Sequence, residues 1–177
     1  MHKKAEYKLT KFKSFIFNIA AGLVFLSGYL ILLWNILKHP EGILASSMVK
    51  NSNIIVLFAF IGLIAVIHEF LHGLTYKIFG AKIKYGVKLL NFYTMDISGK
   101  YYSSKQILIV MLAPITLLTL LLFASGFIFK DFIYYTSIGL LFNMAGSAGD
   151  IAMTAYIILN GRGCKIKDEI SGFSIYF

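Results

Sequence analysis

Charge is what this 177-residue chain has least of: 14% of its residues are Asp, Glu, Lys or Arg, against about 25% in an ordinary soluble domain. Acidic groups are scarcest, 8 against 17 basic ones. There is one cysteine, Cys164, so an internal disulfide framework is excluded. No Pro/Gly-rich linker, internal repeat or low-complexity tract divides the chain, and no P-loop or Rossmann glycine pattern occurs. Those absences leave a multi-domain or nucleotide-dependent reading without support.

Apolar residues fill the space. They make up 58% of the chain, and the mean hydropathy is +0.77. Four segments, about 15–37, 53–79, 107–129 and 132–159, each exceed the roughly 20 residues that a bilayer core demands. They predict an all-α polytopic membrane protein, a single membrane-embedded domain over 1–177 with four transmembrane helices and a connector at 80–106. The first segment follows lysines, as a signal peptide does. Its apolar run is longer than the about 7–15 residues of an h-region and no small-residue cleavage site follows, so it reads as a retained helix.

The basic residues flank these spans. Lys3, Lys4, Lys8, Lys11 and Lys13 precede the first; Lys77, Lys82, Lys84, Lys88, Lys100 and Lys105 surround the connector; Arg162, Lys165 and Lys167 follow the last. Only Lys38, Lys50 and Lys130 fall on the other side. The asymmetry predicts a multi-pass cell-membrane protein with cytoplasmic N and C termini. Charge placed this way is a topology signal with the lipid bilayer as partner, and no nucleic acid is expected.

Residues 68–72 read HEFLH. Histidines four apart on a helix differ by about 40° around the axis, so His68 and His72 can share one metal ion, with Glu69 flanking that face as a candidate base. With the second helix entering from outside near Asn53, His68 lies about 22 Å and His72 about 28 Å in, near the cytoplasmic end. Ionisable groups inside a span are costly and mark function.

Zn2+ suits imidazole and carboxylate ligands, but a catalytic site needs a third protein ligand. Asp150, 18 residues along the fourth segment from Phe132, lies about 27 Å in, level with the histidines. Asp96 in the connector remains open as the alternative. Around Asp150, Asn143, Ser147 and Asp150 form one helical stripe, and Gly146 and Gly149 allow close backbone approach by another helix.

HEFLHG in one span, a Lys-rich connector with strand-like pieces, LAP in the next span and NMAGSAGD in the last together resemble the zincin membrane peptidases. That family is itself similar to the site-2 proteases, intramembrane zinc metalloproteases that cleave membrane-anchored substrates near the cytoplasmic side. The resemblance covers about 53–160 and implies His68, His72 and Asp150 as zinc ligands and Glu69 as catalytic base. It makes Asn143 a candidate for binding substrate or the oxyanion. Ile151 stands after Asp150, where site-2 proteases usually carry glycine. The implied partner is a membrane-anchored protein or peptide substrate.

Pro114 lies near the depth of the histidines and predicts a kink that admits water. In the connector, Ile83, Tyr85, Val87 and Leu89 alternate with Lys82, Lys84 and Lys88, which predicts a small cytoplasmic β element whose edge could hold an extended substrate. The C-terminal tail, with Phe173, Ile175 and Phe177 in alternation, could add a strand to it. Two other functions use the same histidines. A metal-binding sensor or adaptor would not need Glu69, and a metal transporter would need polar groups along the outer half of the second helix, which has none after Asn53.

Overall fold

The computed structural model describes residues 2–88, 91–169 and 172–177. Thr10 opens the first helix, α1 (Lys11–Lys38), by accepting the Lys13 N–H at 3.3 Å, which satisfies one of the donors that every helix start leaves unpaired. After α2 (Ile43–Lys50), Asn53 caps α3 (Ile54–Ile78) by accepting from the N–H groups of Ile55 and Val56. The third apolar segment begins at a reciprocal Ser103–Gln106 capping box. It continues as α4 (Ser104–Ala113), a π-helical turn (Pro114–Leu118) and α5 (Thr119–Ile128). Lys11–Lys38, Ile54–Ile78 and Ser104–Ile128 are three helices long and apolar enough to cross a membrane, each starting or ending within a few residues of its expected bounds.

The fourth expected helix, 132–159, is two. It divides into α6 (Ile133–Gly146) and α7 (Ala148–Asn160) at Ser147, whose hydroxyl donates to Asn143 O at 2.8 Å. Neither half alone has the about 20 residues of a full span. Hydropathy reads straight through the break because the residues directly flanking it, Ala145, Gly146, Ala148 and Gly149, are small and uncharged.

The strands also exceed expectation, since they come from both tails as well as the connector. β1 (Lys3–Lys8), β4 (Tyr101–Ser103), β5 (Lys165–Glu169) and β6 (Gly172–Tyr176) form an antiparallel sheet in the order β1-β6-β5-β4. β2 (Ile83–Lys88) and β3 (Asn91–Asp96) pair separately as a hairpin, with Ile83 opposite Asp96 and Lys88 opposite Asn91. The expected strand is present as β2, but Tyr85 and Val87 are exposed on it, so it has no buried apolar face; Leu89 lies outside the described residues. The expected strand at Phe173 and Ile175 is present as β6, but it pairs with β1 and β5 and not with the connector; the tail meets the connector through β5 and β4, Tyr102 opposite Ile166. The connectivity follows from the sheet. The chain leaves it along α1, returns along α3, leaves again along α4 and α5, and comes back through α6 and α7.

Three apolar clusters hold these elements. Beneath the sheet, Tyr7, Tyr102, Ile107, Val110, Ile157 and Ile166 pack together. Ile64, Leu118 and Leu122 join α3 to the third segment. At the far end, Tyr134, Tyr135 and Ile138 of α6 meet Phe25 and Tyr29 of α1, Leu44 and Met48 of α2 and Phe60 of α3. Helix α2, eight residues long, is too short to announce itself as a span. It clamps the turn between α5 and α6: Ser47 Oγ and Asn51 Nδ2 donate to Asp131 O at 2.5 and 2.6 Å, and Lys50 pairs with the Asp131 carboxylate at 2.8 Å.

Candidate metal centre

His68 and His72 stand on one face of α3, their ring centroids 5.1 Å apart and their planes at 74°. Both are buried, and hydrogen bonds fix which nitrogen of each carries the proton. His68 Nδ1 is 2.9 Å from Asn143 Oδ1. The other end of that amide decides its orientation: Asn143 Nδ2 donates to Thr119 Oγ1 at 3.1 Å and to Pro114 O at 3.4 Å, and a carbonyl can only accept. Asn143 Oδ1 therefore accepts from His68 Nδ1–H. His72 Nδ1 is 2.9 Å from Val110 O, again an acceptor alone, so His72 also carries its proton on Nδ1.

As neutral imidazoles, both rings turn a bare Nε2 inward. Asp150 Oδ2 lies 3.1 Å from His68 Nε2 and 3.4 Å from His72 Nε2. Two lone pairs and a carboxylate oxygen face one point with no proton of their own to share. Such a set is satisfied by a further proton on a histidine or by a cation, and two imidazoles with one carboxylate match the donor types and count of a catalytic zinc site. Ligating histidines characteristically donate their other N–H to a carbonyl or carboxylate, as Val110 O and Asn143 Oδ1 accept here.

Val110 can serve because of Pro114. In an α-helix each carbonyl is taken by the N–H four residues on, and the residue four on from Val110 is a proline, which has no N–H. A π-helical turn starts at Pro114. Its visible effect is to spare a carbonyl for His72. Pro114 itself is buried.

Glu69 is half-buried. Single ligand atoms of His68, Glu69 and His72 lie within 4.8 Å of one another, close enough for a carboxylate to address a small molecule held by the histidines. The hairpin is pinned across this point, as Thr94 Oγ1 of β3 donates to the backbone carbonyl of Glu69 at 2.7 Å. Glu69, His68 and Asn143 line a cavity of about 710 Å³ between α1, α3 and the α6–α7 junction.

The glycines near Asp150 do something other than admit a neighbouring backbone. A Cβ added at Gly146 or Gly149 would meet nothing within 4 Å, and the same is true of Gly22 across the cavity on α1. All three line the cavity, so their missing side chains make room in it. Helix α1, which carries none of the sequence motifs, supplies Ser14, Asn18 and Gly22 to this wall.

Asp96, the alternative third ligand, is engaged elsewhere. Its carboxylate accepts from Tyr102 OH at 2.6 Å and from Ser98 Oγ at 2.8 Å, and its N–H donates to Asp168 Oδ2 at 3.0 Å. Burial opposes ionisation of Asp96, but the bonds from Tyr102 and Ser98 outweigh it and hold the carboxyl below its ordinary range. Asp168 accepts from the Asp96 N–H, but burial outweighs that bond and, with the charge of Asp96 adding to it, pushes the carboxyl up to about 6. This pair ties the root of the hairpin to the four-stranded sheet.

Sequence reasoning missed Val110, Thr119 and Thr94. Of these only Val110 had a signal, its position four residues before a proline in an apolar span.

The fold and site define a class: a helical protein of membrane-spanning composition that carries an HExxH helix and a candidate metal centre. A family model described as "Putative zincin peptidase" matches residues 60–165. The chain belongs to that family, and the matched stretch contains the HExxH helix, the hairpin, Pro114, Asn143 and Asp150. No curated protein and no solved structure matches it.

Proposed function

We propose that the protein is an intramembrane zinc metallopeptidase, akin to the site-2 proteases, that hydrolyses peptide bonds of membrane-anchored substrates near the cytoplasmic face. The observation that carries this reading is the convergence of the His68 and His72 Nε2 atoms on Asp150 Oδ2 beside Glu69. In it, His68, His72 and Asp150 hold the ion. Bound there, zinc supplies Lewis acidity, which polarises a carbonyl and acidifies water.

The chain's own residues do the rest. Glu69 takes a proton from the attacking water and hands it to the leaving amine nitrogen, as a general base that becomes a general acid. Asn143 and the Val110 carbonyl keep the two rings in one orientation and one tautomer. Asn143 acts on His68 rather than on an oxyanion, because its amide is already committed to Pro114 O and Thr119 Oγ1. The cavity toward α1 gives a substrate segment a way in from the side. The chain crosses the membrane four times, the last in two pieces, with both termini and the sheet in the cytoplasm. The shared sheet of tail, connector and tail supports that count, and the basic flanks support the side.

Replacing Glu69 tests the reading. Glu69→Gln is expected to retain stoichiometric zinc and to lose cleavage of a membrane-anchored test peptide, whereas His68→Ala/His72→Ala is expected to lose both. Cleavage by Glu69→Gln at the wild-type rate would overturn the mechanism, and a protein purified without zinc and unable to take it up would overturn the site. A sensor or adaptor would bind zinc in both wild type and Glu69→Gln and cleave in neither.

A further inference from the structure

Glu69 lines a second, smaller pocket on the side of α3 that faces the hairpin. Its volume is about 240 Å³, and its walls are Val66 and Phe70 of α3 with Tyr85, Gly86, Phe92 and Tyr93 of β2 and β3. Glu69 and Phe92 belong to both this pocket and the larger cavity, so the two spaces meet at the candidate base. The walls are apolar and aromatic, and Glu69 is the only ionisable carboxylate among them.

The hairpin is built to make this pocket. Tyr85 lies over α3, stacked on Phe70 with centroids 6.4 Å apart and planes at 19°. It can do so because a Cβ at Gly73 would collide with the Tyr85 phenol, and Gly73 has none. Across the strands, Tyr93 lies over Gly86, where a Cβ would strike its ring. Two glycines thus seat two of the pocket's aromatic walls, and Thr94 holds the strand that carries the rest against Glu69.

We propose that this pocket is a substrate subsite that receives one large apolar side chain, Leu, Met or Phe in class, from a residue flanking the bond to be cut. The inference rests on the peptidase reading. A whole small-molecule ligand calls for about 300–1,000 Å³, and this pocket lies below that range. Its contact with Glu69 places the occupant next to the reacting group. A peptide lying in the larger cavity past Glu69 can turn a side chain into the pocket, because Glu69 and Phe92 line both spaces. An acidic residue at the same substrate position finds no partner there and meets Glu69 instead.

The test uses alanine-rich, membrane-inserting peptides carrying a single Phe, Leu or Asp at successive positions, with the full-length protein in nanodiscs. Affinity is read by fluorescence anisotropy on the Glu69→Gln protein, and cleavage by mass spectrometry on the wild type. The best-placed Phe or Leu peptide is expected to bind about tenfold tighter than its Asp counterpart, the effect of burying part of one apolar side chain. Val66→Phe, which fills the pocket, and Gly86→Ala, which displaces Tyr93, are each expected to bring that ratio toward one. A ratio near one in the parent protein, or a ratio unchanged in both variants, would overturn the subsite. Phospholipid retained by the parent but not by Val66→Phe, with no peptide discrimination, would assign the pocket to an acyl chain and overturn it too. Discrimination in binding without cleavage would sustain the subsite and defeat the peptidase reading; cleavage without discrimination would do the reverse.

Discussion

Replacing Pro114 by alanine puts the two roles of a proline in opposition. In the helix interior a proline costs about 3 kcal/mol through its missing N–H and its ring, so Pro114→Ala is expected to leave the fold as stable or make it more so. At the site the effect has the other sign. An alanine N–H at 114 competes for Val110 O, which now accepts His72 Nδ1–H at 2.9 Å. Losing the outer partner of a ligating histidine typically costs 10–100-fold in metal affinity, and a single displaced hydrogen bond is worth about 0.5–1.5 kcal/mol, so the lower end, about tenfold, is expected. The assay is zinc competition with a chromophoric chelator on detergent-purified protein, with Tm measured in parallel. An α-hydroxy acid introduced at 114 offers no N–H and also no pyrrolidine ring; it should keep the wild-type zinc affinity. Equal zinc affinity in wild type and Pro114→Ala would refute the argument, as would an equal loss with the α-hydroxy acid, which would assign the effect to the ring.

Asn143→Ala removes the acceptor of His68 Nδ1–H and is expected to weaken zinc binding by about 10–100-fold; an oxyanion donor would instead lower kcat with zinc affinity intact. Asp168 carries a folded-state value of about 6, above its unfolded value of 3.8, so its contribution to stability is present below pH 4 and lost as pH rises through 6. Asp168→Asn should therefore match wild type near pH 4 and exceed it by about 3 kcal/mol at pH 8, and denaturation curves that stay parallel across that window would contradict this. Cys164 is buried, 3% exposed, and reports poorly on topology. Arg162→Cys, next to it and exposed, should react with an impermeant maleimide only after the membrane is opened, and Glu41→Cys without opening it.

Local spacing made part of this legible. HExxH is a pattern within one helix, so its geometry follows from 3.6 residues per turn, and long apolar runs announce spans by length alone. The depth of Asp150 could be matched to that of the histidines because both follow from counting residues along helices. What escaped was non-local. Lys3–Lys8 reads as a topology signal, and only its pairing with β6, Tyr7 opposite Phe173, makes it a strand with Tyr7 buried. The orientation of Asn143 likewise depends on Thr119 and Pro114 from another segment, which no periodicity in its own helix encodes.

The break at Ser147 escaped for a different reason, and it bears most directly on the site. Asn143 and Asp150 are seven residues apart, about 10.5 Å along an unbroken helix, yet they meet opposite nitrogens of one imidazole ring, at 2.9 and 3.1 Å. The turn places Asp150 in the first turn of α7, where the exposed N–H groups of a helix start favour a carboxylate. Ser147 bonds back to Asn143 O, closing the end of α6. His68 therefore spans the junction, held by α6 through one nitrogen and facing the carboxylate of α7 with the other. A change in the angle between α6 and α7 must then move Asp150 relative to the ring that Asn143 holds. An ion bound by His68, His72 and Asp150 would resist that change, so on that ligand set metal binding and the geometry of the broken fourth segment would be one equilibrium.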